Sequence, residues 1–124
     1  MAIKSYIELQ KERFEANEID LHVSTSINNP NQKISPLIIL NYIENAFEHG
    51  YKFGQQCFIS ISIREKNGEL NLQIKNSNHA LRRNENGGNL KTKKILEIKY
   101  PGRYKLNIEN NEDCYSLHLC IHLT

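Results

Sequence analysis

One face of a predicted helix in the first half of the chain carries a row of oxygen-bearing side chains. The helix is predicted over 35–50, where Ser35 provides an N-cap, Pro36 a first-turn proline and Gly50 a stop. At about 100° per residue, one side of this helix is apolar and carries Ile39, Leu40, Ile43, Ala46 and Phe47. The other side carries Asn41, Glu44, Asn45, Glu48 and His49.

This polar row has two interpretations. A solvated helix face is the ordinary one, but such a face is usually rich in lysine and arginine, and asparagine is a poor helix former. Alternatively, the row is a binding site, because carboxylate and amide oxygens can hold a hard cation such as Mg²⁺. That ion usually shares its ligands with substrate phosphates.

A second group of potential ligands lies on the last predicted strand. Cys114, His118, Cys120 and His122 have the same parity and therefore point to one face, opposite the apolar residues of the strand. Neighbours of like parity lie roughly 7 Å apart, so four ligands from a single strand cannot converge on a tetrahedral zinc ion. The sequence therefore argues against structural zinc here, and this face is expected to be exposed or to meet another domain.

The composition describes one ordinary domain. The chain has 124 residues, of which 39% are apolar, and a formal net charge of +2. This charge excludes a strongly electrostatic module for nucleic acids or membrane surfaces, so no contact with either is expected. The three cysteines form no CxxC pair and suit a reducing cytosol. With no apolar run of roughly 20 residues, the chain is predicted to be cytoplasmic.

The elements that must position these residues follow from periodicity and turn signals. We predict helices over 3–17, 35–50 and 90–100, a mobile loop over 76–89, and strands over 19–25, 57–64, 70–75, 104–109 and 115–123. Asn67-Gly68 predicts a hairpin between the second and third strands. The predicted class is α+β, a two-layer α/β sandwich whose mixed, largely antiparallel sheet is covered by helices on one face.

Three blocks of the chain together resemble a known family. Glu44-Asn45-Ala46 and His49-Gly50 match the core of the N-box helix in the ATP-binding (HATPase) domain of LytS-like sensor histidine kinases, within the GHKL superfamily. The segment 6–14 is similar to the one that follows the phosphoacceptor helix, and 96–104 is similar to a stretch near the end of the domain. The resemblance covers nearly the whole chain and implies the Bergerat ATP-binding fold.

The resemblance also assigns roles to individual residues. Asn45 matches the asparagine that coordinates Mg²⁺, Glu44 matches the catalytic acidic residue beside the γ-phosphate, and Asn41 occupies the polar position one turn earlier. Asn76 stands where the family has the aspartate that recognises adenine, and its amide carbonyl can still accept a hydrogen bond from an exocyclic amine. Without the resemblance, 76–78 is equally well a strand-ending turn.

The glycine-rich segment 86–90 resembles the family's GxGL motif, in which Gly87 and Gly88 would let backbone N–H groups approach the phosphates. An ordinary flexible turn is the alternative interpretation of these glycines. The implied nucleotide site also includes His49, Lys52 and Asn78, and His49 is not taken as a phosphoacceptor.

By this resemblance the chain binds ATP with Mg²⁺ and transfers the γ-phosphoryl to a histidine on a helical domain outside the chain. A response regulator is the next partner. Residues 1–17 would be a linker helix following that domain, and 18–124 the catalytic domain of a membrane-anchored kinase. The fragment is not expected to autophosphorylate alone.

Two alternatives stay open. Glu48 stands where the family commonly has a lysine, and the glycine motif is imperfect, which favours a degenerate, non-catalytic GHKL domain that acts as a protein-interaction module. A stand-alone ATPase or anti-sigma-type kinase is less favoured, because 6–14 and 100–104 resemble the sensor kinases.

Overall fold

The computed structural model describes residues 8–9, 19–29, 35–50, 57–77, 86–111 and 114–123. In chain order the elements are β1 (Ile19–Ile27), α1 (Pro36–Gly50), β2 (Cys57–Lys66), β3 (Glu69–Ser77), α2 (Asn86–Lys99), β4 (Tyr104–Asn110) and β5 (Cys114–His122). Of the helix predicted over 3–17, Glu8 and Leu9 are helical and the rest lies outside the described residues.

The five strands form one mixed sheet in the order β1-β2-β3-β5-β4. β1 pairs with β2 in parallel, whereas the other three pairings are antiparallel. Because β3 and β4 are both antiparallel to β5, they run parallel to each other on its two sides. A helix connects the strands that run parallel: α1 joins β1 to β2, and α2 joins β3 to β4. Parallel strands need a long crossover connection of this kind. The predicted α+β class with a largely antiparallel sheet is therefore confirmed.

The core lies between the sheet and the two helices. Alternate side chains of β2, β3 and β5 are buried on one face, as in the run Ile59, Ile61 and Ile63, whereas the opposite face is half-buried to exposed. The helices contribute Ile38, Ile39, Tyr42, Ile43, Ala46, Phe47 and Leu96 to the core. The predicted apolar side of α1 is thus confirmed, except that Leu40 is half-buried at its margin.

The hairpin between β2 and β3 turns at Asn67 and Gly68, whose φ angles are 53° and 78°. Two left-handed residues in succession match the right-handed twist of the flanking strands, as the Asn-Gly pair predicts. The buried carboxylate of Glu65 accepts hydrogen bonds from Gly68 N at 3.3 Å and from Asn29 N at 2.7 Å. One side chain therefore holds both this turn and the chain just after β1.

The loop predicted over 76–89 is wrong at both ends. Asn76 and Ser77 belong to β3, because Ser77 Oγ accepts a hydrogen bond from Phe58 N and donates one to Phe58 O, which extends the pairing with β2. At the other end α2 begins at Asn86, four residues before the predicted start. The helix penalty of glycine is only about 1 kcal/mol per residue, so Gly87 and Gly88 do not prevent a helix from starting there. No helix in the described ranges is long and apolar enough to cross a membrane.

Candidate functional site

Three element ends come together at one edge of the sandwich. Asn76, next to the last residue of β3, pairs with Ile59 near the start of β2 and with Tyr115 near the start of β5. The segment 51–56 joins the end of α1 to the start of β2, and 78–85 joins the end of β3 to the start of α2. Along the chain, the end of α1 is thus followed by the start of β2 at this edge, and the end of β3 at this edge is followed by the start of α2.

The two helices run antiparallel. Ser35 N, just before α1, donates a 3.1 Å hydrogen bond to the hydroxyl of Tyr100, just after α2, and the helices pack against each other. The first turn of α2, with Gly87 and Gly88, therefore lies toward the last turns of α1. The topology thus brings the two segments that carry most of the sequence-predicted residues to a common end.

On α1 the predicted polar residues divide into two depths. The amides of Asn41 and Asn45 are half-buried at the boundary of the core, whereas Glu44 and Glu48 are exposed. Because these residues repeat at intervals of three and four, they form one row along the helix. The two amides therefore lie deeper in the structure than the two carboxylates of the same row.

The side chains of three predicted residues lie outside the part of the chain that the structure describes. His49 lies in the last turn of α1, but its side chain is outside the described part of the chain. Lys52 and Asn78 fall in the connecting segments outside the described ranges. Gly87 and Gly88 lie in the first turn of α2, where backbone N–H groups have no intrahelical acceptor.

Asn76 is the most unusual polar residue of the site. Its side chain is fully buried and shares the helix-covered face of β3 with Ile74. Its Nδ2 donates a 2.8 Å hydrogen bond to Ser77 O, but its Oδ1 has no partner among the described residues. A buried carbonyl left without a donor costs about 1–3 kcal/mol, so such atoms are rare without a functional reason.

Tyr42 carries a second buried oxygen with no partner in the described structure. Burial raises the pKa of its phenol well above the usual value, and Tyr115 and Tyr104 add to the shift, so the hydroxyl stays neutral. α1 packs on β3, which places Tyr42 and Asn76 on the two sides of one interface. Tyr42 carries no signal of a polar role in the sequence, although its spacing from Ile38, Ile39 and Ala46 matches the buried face.

This arrangement has three chemical capacities. Asn76 Oδ1 can accept a hydrogen bond from an amine of an enclosed ligand. Asn41 and Asn45 offer amide oxygens, which are suitable ligands for a hard cation. The first turn of α2 offers backbone N–H groups, and at Gly87 and Gly88 no side chain covers them. Such groups favour the binding of phosphate oxygens.

No family model and no curated protein matches this sequence. Solved structures, however, share the fold. The catalytic domain of histidine kinase ThkA superposes with a TM-score of 0.64 and 15% identity, covering 98% of this chain and 90% of that one. The histidine kinase domain of a blue-light activated kinase from Erythrobacter litoralis gives a TM-score of 0.69 with 11% identity, covering 98% of this chain and 63% of that one.

ThkA in complex with the response regulator TrrA gives a TM-score of 0.58 and 16% identity, covering 99% of this chain and 38% of that one. These likenesses establish that the chain has the fold of histidine kinase catalytic domains.

Proposed function

We propose that this chain is the ATP-binding catalytic domain of a two-component sensor histidine kinase of the LytS-like group. It would transfer the γ-phosphoryl of ATP to a histidine on a helical domain outside the chain. The observation that carries the proposal is the fully buried Oδ1 of Asn76, which has no hydrogen-bond partner within the described ranges. The shared fold supports it, since the similar structures include catalytic domains of histidine kinases.

Asn76 would recognise the base. The exocyclic amine of adenine is a hydrogen-bond donor, and Asn76 Oδ1 is an acceptor. Because folding already removes this oxygen from water, nucleotide binding does not have to supply its desolvation cost. Guanine presents a carbonyl oxygen at the corresponding ring position, which would leave two acceptors facing each other. A mismatch of this kind costs about 1–3 kcal/mol, so adenine should be preferred by about tenfold or more.

Asn45 would be a ligand of the Mg²⁺ ion through its amide oxygen, with Asn41 one turn away on the same row. The ion, when bound, neutralises phosphate charge and aligns the transferred group. Glu44, whose side chain is exposed, would polarise groups beside the γ-phosphate. Gly87 and Gly88 would bind phosphate oxygens through their backbone N–H groups.

His49, Lys52 and Asn78 stay predictions from the sequence resemblance. Lys52 would offset part of the charge of Glu48. Asn78 would contact the nucleotide beside Asn76.

The proposed partners follow from the kinase assignment. Residues 1–17 would be a linker helix that follows the phosphoacceptor domain, whose histidine must be supplied from outside this chain. A response regulator would then receive the phosphoryl group, and the ThkA–TrrA complex supports such a partnership. The isolated chain is therefore expected to bind nucleotide without phosphorylating itself.

Isothermal titration with a non-hydrolysable ATP analogue tests this proposal, with and without Mg²⁺. We expect binding that strengthens with Mg²⁺, loss of that dependence in Asn45→Ala, and about tenfold weaker binding in Asn76→Ala. Asn107→Ala, an exposed asparagine on β4, is the matched control and should bind as wild type. Titration with the guanine analogue should show the base preference, and Asn76→Ala should reduce it.

No binding at millimolar nucleotide in the folded protein would refute the proposal. The observation that then favours a non-catalytic interaction module is the exposed carboxylate of Glu48, which opposes a triphosphate at the end of α1.

A further inference from the structure

The face of the sheet that the helices leave uncovered carries a second cluster of reactive side chains. Glu69 opens β3 and pairs with His122 on β5, and Asn71 pairs with Cys120 in the same ladder. These side chains share one face, because alternate residues of paired strands point the same way. We call Glu69, Cys120 and His122 the open-face triad.

The three side chains of the triad approach one another closely. One ligand atom from each lies within 4.8 Å of the other two. His122 Nδ1 lies 3.5 Å from Glu69 Oε2. In a tetrahedral zinc site, bonds of about 2.0–2.3 Å separate neighbouring donor atoms by roughly 3.3–3.8 Å. The histidine and carboxylate are thus already at this spacing, and an adjustment of about 1 Å brings the thiol to it.

The triad avoids the geometric objection that applies to a single strand. Cys114, His118, Cys120 and His122 are spread along β5 and cannot converge, but Cys120 and His122 are adjacent on their face. The third ligand, Glu69, comes from the neighbouring strand directly opposite His122. Two close residues on one strand and one across the ladder can surround a single ion.

A supporting hydrogen-bond chain orients the carboxylate. Asn71 Nδ2 donates a 3.3 Å hydrogen bond to Glu69 Oε1, and Asn71 Oδ1 lies 3.1 Å from His118 Nε2. One carboxylate oxygen is therefore held by the amide, while the other faces His122. Protein metal sites commonly fix their ligands through outer partners of this kind.

We propose that Glu69, Cys120 and His122 form a Zn²⁺ site with the fourth position open to water. The mixed set of thiolate, imidazole and carboxylate ligands suits zinc rather than Mg²⁺ or Ca²⁺, which take oxygen ligands. Binding forms the zinc–sulfur bond and releases the Cys120 thiol proton to solvent. His122 and Glu69 are about half-exposed, at 58% and 44% of their side chains, so the ion can reach the site.

This site is separate from the proposed nucleotide site. Glu69 and Asn76 lie near opposite ends of β3, roughly 24 Å apart at about 3.4 Å per residue, and on opposite faces of the sheet. The zinc proposal therefore does not rest on the proposed kinase function. Asn45→Ala should bind zinc as wild type does.

Titration of the whole chain with zinc chloride, under a non-thiol reductant and in competition with a chelator, tests the proposal. We expect one ion per chain, with affinity reduced about 100-fold or more in Cys120→Ser and in Glu69→Gln. In Asn71→Ala the zinc affinity should fall about 10–100-fold, which is the usual effect of removing a residue that orients a metal ligand. Cys114→Ser is the matched control, because Cys114 is a half-buried thiol on the same strand and face but outside the triad.

Cobalt(II) provides a second readout. The wild-type chain should show a thiolate-to-cobalt charge-transfer band, which Cys120→Ser removes and Cys114→Ser retains. Circular dichroism establishes that each variant is folded. Absence of zinc binding to the folded wild-type chain, wild-type affinity in Cys120→Ser or Glu69→Gln, or a cobalt complex without the thiolate band would each overturn the proposal.

Discussion

Replacing Tyr42 with phenylalanine should stabilise the protein. The tyrosine is 2% exposed, and its hydroxyl has no hydrogen-bond partner in the part of the chain that the structure describes. The aromatic ring packs in the core between α1 and the sheet, and phenylalanine keeps that packing. Only the buried oxygen and its desolvation cost are removed, so the variant gains stability by losing a polar atom.

The expected gain is about 1 kcal/mol. A buried hydroxyl without a partner costs about 1–3 kcal/mol, and the small space left by the oxygen takes back part of that amount. For 124 residues, an unfolding entropy of about 2.1 cal/mol/K per residue gives roughly 0.26 kcal/mol/K. One kcal/mol therefore corresponds to a rise in Tm of about 4 °C.

Urea unfolding followed by circular dichroism measures this change, with a thermal melt as a second measure. Tyr104→Phe is the control, because the Tyr104 hydroxyl donates a hydrogen bond to Glu97 on the surface. Its removal should be neutral or destabilise by up to about 0.5 kcal/mol. If Tyr42→Phe is instead less stable than wild type by 0.5 kcal/mol or more, roughly a tenth of a small domain's stability, the hydroxyl has a partner and the reasoning is wrong.

Three further predictions concern the pH dependence of stability, a buried carboxylate, and the charge at position 48 near the proposed nucleotide site. Because the folded state raises the pKa of Tyr42, the unfolded chain loses this proton first as pH rises above the ordinary tyrosine value of 10.0, so stability falls there. Wild type should therefore lose up to about 1.4 kcal/mol per pH unit more than Tyr42→Phe, and equal slopes in alkaline urea titrations would contradict this. Glu65→Ala should cost about 2 kcal/mol in urea unfolding, because two backbone N–H groups lose their acceptor. Glu65→Gln should recover part of that loss, and an equally unstable glutamine variant would count against the hydrogen-bond explanation. Glu48→Lys should bind the Mg²⁺–ATP analogue about three- to tenfold more tightly in titration, by Coulomb attraction. The same change at Glu109, on the opposite face of the sheet, should not, and equal gains in both variants would indicate a non-specific effect of charge.

Local signals were sufficient for most of the fold. Ser35, Pro36 and Gly50 mark the ends of α1, and the Asn67-Gly68 pair marks the β2–β3 turn, because caps and left-handed turns depend on neighbouring residues. Alternation alone identified the buried face of β5. The row of Asn41, Glu44, Asn45 and Glu48 also followed from helical period, although nothing local shows that the asparagines lie deeper than the glutamates.

Strand register accounts for what the sequence did not reveal. The sequence predicts that a loop begins at Asn76, yet hydrogen bonds between Ser77 and Phe58 extend β3 and leave the Asn76 oxygen buried. Nothing in the sequence connects Glu69 with Cys120 and His122, because only the β3–β5 register places it beside them. Caps, turns and periods act over a few residues, whereas partners this far apart along the chain are selected by the packing of the whole sheet.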